Sequence, residues 1–155
     1  MAVSNPSDPL SEDFRLADWP FYHMNRAIRS YDTEMRRLLR SSGLDVARWR
    51  ILMIAHEKAP VSVGEVVSQA IMEPSTVTRA MQRLQKEGLL TITTRASDQR
   101  VSEAVLTEQG RAIMQRVLKA ASRVFHQAFA SFQGDEIRAL NAQLARVHRA
   151  LEEPL

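Results

Sequence analysis

Along most of this chain apolar residues recur at the three- and four-residue steps of an α-helix. The first seam, Met24, Ile28, Tyr31, Met35 and Leu38, predicts a long helix from about Asp18, with Pro20 tolerated in its first turn. Arg26, Arg29, Arg36, Arg37 and Arg40 cover much of its other surface, and Ser41-Ser42-Gly43 stops it. Asp45 is placed to cap a second helix, about Val46 to Lys58. Trp49, Leu52 and Met53 lie on one side of that helix, and Ile51 and Ala55 widen the apolar band. Beyond the break at Ala59-Pro60, Ser62-Val63-Gly64-Glu65 has the form of a capping box and opens a short helix to about Ala70. Ile71-Met72-Glu73 then turns the chain into a helix from Pro74 to Gly88. Proline at its first position lacks only an N–H that would have had no intrahelical partner. Glycine at its end suits a left-handed residue. Val77, Met81 and Leu84 give this helix a narrow apolar stripe.

After Gly88 the period changes. Leu89 to Thr94 and Val101 to Leu106 are rich in β-branched residues and alternate roughly by two, with the polar run Arg95 to Arg100 between them. That predicts a hairpin attached to the two short helices as a wing. Thr107 is placed to cap a helix from Glu108 to about Phe132, with Ile113, Val117, Val124 and Ala128 on one side. Past Gly134-Asp135, the stripe Ile137, Leu140, Leu144, Val147 and Leu151 predicts one more helix. The expected fold class is mainly α with a small β-hairpin wing (α+β): a winged helix-turn-helix between N- and C-terminal dimerisation helices. The expected divisions are a flexible tail at 1–17, an N-terminal helix at 18–43, the winged helix at 44–106 and C-terminal helices at 107–155.

A winged helix of that size cannot cover the seams of the first helix and of both terminal ones. Apolar stripes left over mark an interaction surface. A symmetric homodimer in which these helices interlock would bury them; a compact monomeric bundle is the alternative.

The helix from Pro74 carries its chemistry on the face opposite its stripe. Ser75, Thr76, Thr78, Arg79, Gln82 and Arg83 stand there, with no carboxylate until Glu87. Hydroxyls and arginines at a helix start suit a DNA major groove, where they meet phosphates and arginine can fork onto guanine. An ordinary surface helix with a solvated basic face has the same look. The net charge of +3 across 155 residues says little. Its distribution says more, because residues 74–100 hold five basic side chains against Glu87 and Asp98.

Other chemistries find little support. The chain has no cysteine, which removes disulfides and thiol sensing and agrees with a reducing cytoplasm. It opens without an apolar signal segment, and no stretch approaches the ~20 apolar residues that cross a bilayer. His23, His56, His126 and His148 are scattered and form no metal-ligand spacing. Neither a nucleophile with a neighbouring base nor a phosphate-cradling glycine loop is visible, so no cofactor and no enzymatic activity is expected.

Taken together, the ordered motifs resemble those of the MarR family of bacterial transcription regulators over about Asp18 to Leu151. The resemblance is carried by Leu44 to Trp49, Ser75-Thr76-Val77-Thr78-Arg79, Leu84 to Leu90, Asp98-x-Arg100 and Leu106-Thr107-x-x-Gly110. It implies a winged-helix homodimer on pseudo-palindromic double-stranded DNA, usually a repressor, often released by small aromatic anions. By that resemblance Ser75, Thr76, Thr78, Arg79 and Arg83 would face the major groove and its flanking phosphates. Arg95 would be the wing-tip residue near the minor groove. Asp98 and Arg100 match the paired wing residues, Asp98 orienting a neighbouring arginine. Two departures weaken the wing's charge: Ile92 and Thr93 stand where basic residues are common, and Gln99 where a second arginine is.

The resemblance also implies an effector crevice where the dimerising arms meet the winged helix. Tyr22, His23 and Arg26 can share a face of the first helix, and Trp49 and Met53 a face of the second. Together they offer a cation, an imidazole and an aromatic wall, suited to a small aromatic carboxylate or phenolate. The plainer reading makes Trp49 and Met53 core and puts His23 and Arg26 at the dimer interface. From another functional class, a winged helix used only for protein–protein contact competes, though cations at 79, 83 and 95 argue against it.

Overall fold

A computed structural model describes residues 5–153, with two compact units, one ending at Ala121 and the other starting at Ser122. In the first unit a 3-10 turn at Leu16–Asp18 leads into α1 (Pro20–Leu39), α2 (Val46–Lys58), the two-residue β1 (Val61–Ser62), α3 (Val63–Gln69) and α4 (Pro74–Lys86). The hairpin β2 (Leu90–Arg95) and β3 (Asp98–Leu106) follows, then α5 (Glu108–Ala128). Ahead of the 3-10 turn, where a flexible tail was expected, residues 5–14 make successive turns, Asn5 and Asp8 accepting from backbone N–H groups two residues on. Residues 1–4 of that expected tail lie outside the described residues.

The caps form where the side chains predict them. Asp45 accepts from the Arg48 N–H at 2.8 Å, and Ser62 and Glu65 complete their reciprocal box. Gly88, at φ 71°, ends α4 with the Leu89 N–H on the Leu84 carbonyl and its own N–H on the Gln85 carbonyl. That pair of bonds satisfies the last carbonyls of the helix and turns the chain straight into β2.

The core of this unit collects Met35, Leu39, Trp49, Ile51, Leu52, Val61, Val66, Val77, Leu84, Leu90 and Met114. Burial on α1 therefore falls on Met35 and Leu39 at its C-terminal end. Ile28 and Tyr31, expected in the same seam, are 54% and 42% exposed. On α2 the apolar band curls past Met53, which is 37% exposed, because Trp49, Leu52 and Ala55 take the inner face.

The wing differs from its expected outline. The sheet has three strands in the order β1-β3-β2, all antiparallel, with Val61 opposite Ala104. The hairpin closes on Ala96-Ser97, since Arg95 pairs with Asp98, and the register then shifts so that Thr94 faces Ser102. Polar residues at 95–100 were expected to form the turn. Within that run Ala96-Ser97 do form the turn, while Arg95 and Asp98 pair across it, as a solvated hairpin face accepts polar side chains.

Where the wing returns, Thr107 joins three segments. Its hydroxyl donates to the Gly88 carbonyl at 2.6 Å and accepts from the Gly110 N–H at 3.0 Å. A Cβ on Gly110 would overlap the Leu89 carbonyl, so glycine is what lets α5 start against the end of α4. In the second unit α5 ends at Ala128, short of the expected Phe132, and α6 spans Gly134–Glu152. Phe129 contacts both Phe125 and Phe132 there, at 5.1 and 5.4 Å between ring centres. A box between Gln133 and Glu136 caps α6, which buries none of its residues.

Candidate nucleic-acid interface

Helix geometry separates the two faces of α4. At about 100° per residue, burying Val77, Met81 and Leu84 turns Ser75, Thr78, Arg79, Gln82 and Arg83 outward, all of them exposed, with Thr76 half-buried beside them. Pro74 opens the helix and Glu73, before it, makes no side-chain cap, so its first N–H groups are not taken by a capping carboxylate. The Thr78 hydroxyl donates to the Pro74 carbonyl at 2.9 Å, and its oxygen can still accept a bond from outside. Arg79 lies back along its own helix, Nε on the Ser75 carbonyl at 3.2 Å and Nη2 near the Ser75 hydroxyl at 3.4 Å.

Arg83 is held differently. Its Nε donates to Glu87 at 2.9 Å, and this contact raises the guanidinium's affinity for its proton. Glu87 is met a second time from within, by Nη1 of Arg48 at 2.6 Å. Burial pulls the Glu87 carboxyl upward, but hydrogen bonds and charge from Arg83 and Arg48 outweigh it and hold the group below its ordinary value. Arg48 is the buried ion-pair partner that helix periodicity missed. It is 4% exposed, and it also donates to Asp45 at 3.0 Å and to the Gly43 carbonyl at 2.5 Å. The one signal for it in the sequence is its place three residues after a capping aspartate, within reach of that carboxylate.

In the wing, Arg95 runs back along the hairpin, Nε bonded to Glu103 at 2.6 Å. Arg100 is the open cation of the wing, its side chain 93% exposed. Asp98 accepts from the Arg100 backbone at 3.0 Å and lies 3.5 Å from its Nε, so its nearest arginine is the one two residues on.

The five residues considered for an effector divide into two settings. On α1, Arg26 donates to the Tyr22 hydroxyl at 3.1 Å and stacks 5.3 Å from its ring centre. His23 Nε2 lies 2.6 Å from the Ala17 carbonyl, which only accepts, so that nitrogen carries the proton. On α2, Trp49 is 3% exposed within the core while Met53 is open. Among the described residues no cluster of histidine and acidic side chains could hold a metal, and no helix is long and apolar enough to cross a membrane.

Known proteins share this fold. The sequence profile of the MarR family matches residues 44–102, from the start of α2 into β3. The HTH-type transcriptional repressor IacR of Pseudomonas putida is 34% identical over 145 residues, 94% of this chain and 87% of its own. This chain belongs to the MarR family. A MarR-family regulator from Silicibacter pomeroyi superposes with a TM-score of 0.79 at 30% identity, over 86% of this chain and 90% of its own. CouR of Rhodococcus jostii, solved with p-coumaroyl-CoA, has the same fold, with a TM-score of 0.80 at 21% identity over 86% and 94% of the two chains. This chain is thus a transcriptional regulator built on a winged helix, and its relatives are regulators, not enzymes.

Proposed function

We propose that this MarR-family regulator binds pseudo-palindromic double-stranded DNA as a homodimer, acts as a repressor, and is released by a small aromatic or phenolic acid. The outer face of α4 carries the reading. Ser75, Thr78, Arg79 and Arg83, with the half-buried Thr76 beside them, form one surface free of acidic groups up to Glu87, whose charge two arginines answer. Arg79 at the helix start is the candidate base reader, Arg83 a phosphate contact, and Arg100, with Asp98 behind it, the wing's contact beside Arg95. Repression follows the named role of IacR, and work on chromosomal DNA implies the cytoplasm.

Support for an aromatic effector comes from the ligand of CouR and from the Tyr22–Arg26 pair, a cation beside a phenol ring. Only a ligand that binds the DNA-incompetent arrangement better can release DNA. Selecting bound fragments from a random duplex library with the purified protein tests the whole reading. Recovery of inverted repeats is expected, and recovery of random sequence at every salt concentration would overturn specific binding. On the selected operator, salicylate-like acids at millimolar concentration should lower affinity, and Arg26→Ala should remove that response while leaving DNA binding unchanged.

A further inference from the structure

The last turn of α4 contains an arrangement that DNA binding by charge alone would disfavour. A carboxylate, Glu87, sits one turn from a cation offered to phosphate, where it should repel the duplex. We propose that Glu87 is a positioning residue for DNA binding: the buried Arg48 clamps it from behind, and it fixes the Arg83 guanidinium on the outer face of α4. The inference rests on the DNA-binding reading above and adds residues to it.

The clamp is well made. Arg48, with its side chain 5% exposed, spends separate donors on three acceptors: Nε on Asp45 at 3.0 Å, Nη2 on the Gly43 carbonyl at 2.5 Å and Nη1 on Glu87 at 2.6 Å. Those acceptors come from the turn before α2, the cap of α2 and the end of α4, so the guanidinium cannot swing without breaking all of them. One oxygen of Glu87 is therefore pinned to a second element, 39 residues away in sequence. Its other oxygen receives Nε of Arg83 at 2.9 Å, while the Arg83 side chain stays 61% exposed. An ordinary surface pair four residues apart has two loose partners and contributes little. Here one partner is anchored, so the long arginine is held in one geometry before DNA arrives, which lowers the ordering cost of meeting a phosphate. Asp45, Glu87, Arg48 and Arg83 also cancel in charge, so the carboxylate is neutralised where the duplex would approach.

A double-mutant cycle on the selected operator tests this, using the full chain in Glu87→Gln, Arg83→Ala and the pair. Glu87→Gln should weaken operator binding roughly three- to tenfold, the span for ordering one long side chain, although it removes a negative charge. In the Arg83→Ala background the same change should cost nothing, because Glu87 acts through Arg83. Arg83→Lys, at an exposed position, keeps the charge without the planar fork. It should reproduce the loss and make Glu87→Gln silent, which covers the case that Glu87→Gln with Arg83→Ala folds poorly. Tighter binding by Glu87→Gln would show that charge counting governs. An equal loss in all three backgrounds would assign Glu87 a purely structural role. Either overturns the proposal while leaving DNA binding intact. A wild-type protein with no salt-dependent affinity for the operator would instead remove the DNA-binding reading itself, and this one with it.

Discussion

Arg79 and Arg83 stand four positions apart on one exposed face, yet their partners give them different tasks. Among the described residues Arg79 hydrogen-bonds Ser75 of its own helix, at 3.2 and 3.4 Å, and it can leave those weak contacts for a base edge. Arg79→Ala should therefore cost about 1–3 kcal/mol at the operator and relax preference at one base position per half-site. Anisotropy titrations on operator and scrambled duplexes check it, and equal small losses on both would count against base reading. Glu87 adds a pH dependence whose sign follows from its lowered carboxyl. A group with a depressed folded value contributes stability above its unfolded value of about 4.3, and that contribution drains away as pH falls through the folded value. Denaturation midpoints should thus drop below about pH 4.3 more steeply in the wild type than in Glu87→Gln. At this scale the sequence was readable where chemistry is local. The caps at Asp45, Ser62 and Thr107 each need only a side chain and an N–H three residues on. Arg48 was not readable, because its burial depends on a glutamate 39 residues downstream.

Among elements, helices announced themselves by period and α4 by its proline and glycine, whereas the small sheet was only half legible. β1 has two residues, too few to show alternation, and it exists because β3 offers Ala104 and Glu103 as partners. The tight turn at Ala96-Ser97 and the shifted register are likewise set by pairing across the hairpin, which composition does not encode. One consequence is that Arg95, expected at the wing tip, spends its Nε on Glu103, and the extended cation is Arg100. The junction at Gly110 is the element-scale weak point. A methyl there must displace the Leu89 carbonyl, which accepts from the Thr107 N–H at 3.1 Å while the Leu89 N–H is bonded to the end of α4. Gly110→Ala should lower unfolding free energy by about 1–3 kcal/mol, the usual cost of overpacking. Serine or valine there should cost more. Urea denaturation followed by circular dichroism measures it, and an unchanged midpoint for Gly110→Ala would mean that the helix start yields freely.

For the whole molecule, the decisive observation is what single-chain folding leaves uncovered. Ile28 and Tyr31 on α1 are 54% and 42% exposed, Leu144 and Leu151 on α6 are 40% and 67% exposed, and α6 buries nothing. Regular apolar seams of this kind are costly to leave in water and serve a second copy in the proposed homodimer. Their exposure gives a sharper test than deletion, since Ile28 and Leu144 lie outside the buried core of the chain. Ile28→Asp and Leu144→Asp should keep the helical spectrum, yet each should weaken self-association roughly tenfold or more, the effect of charging a central apolar contact. Operator affinity should fall with them, because a lone winged helix reaches a single half-site. Removing residues 135–155 should do the same more severely, giving monomer or aggregate. A symmetric dimer also predicts inverted half-sites centred about one helical turn, ~10 base pairs, apart. Sedimentation across micromolar concentrations reads the association directly. If the intact protein runs as a clean monomer, or if both aspartate variants remain dimeric with full operator affinity, these seams are not the dimer interface.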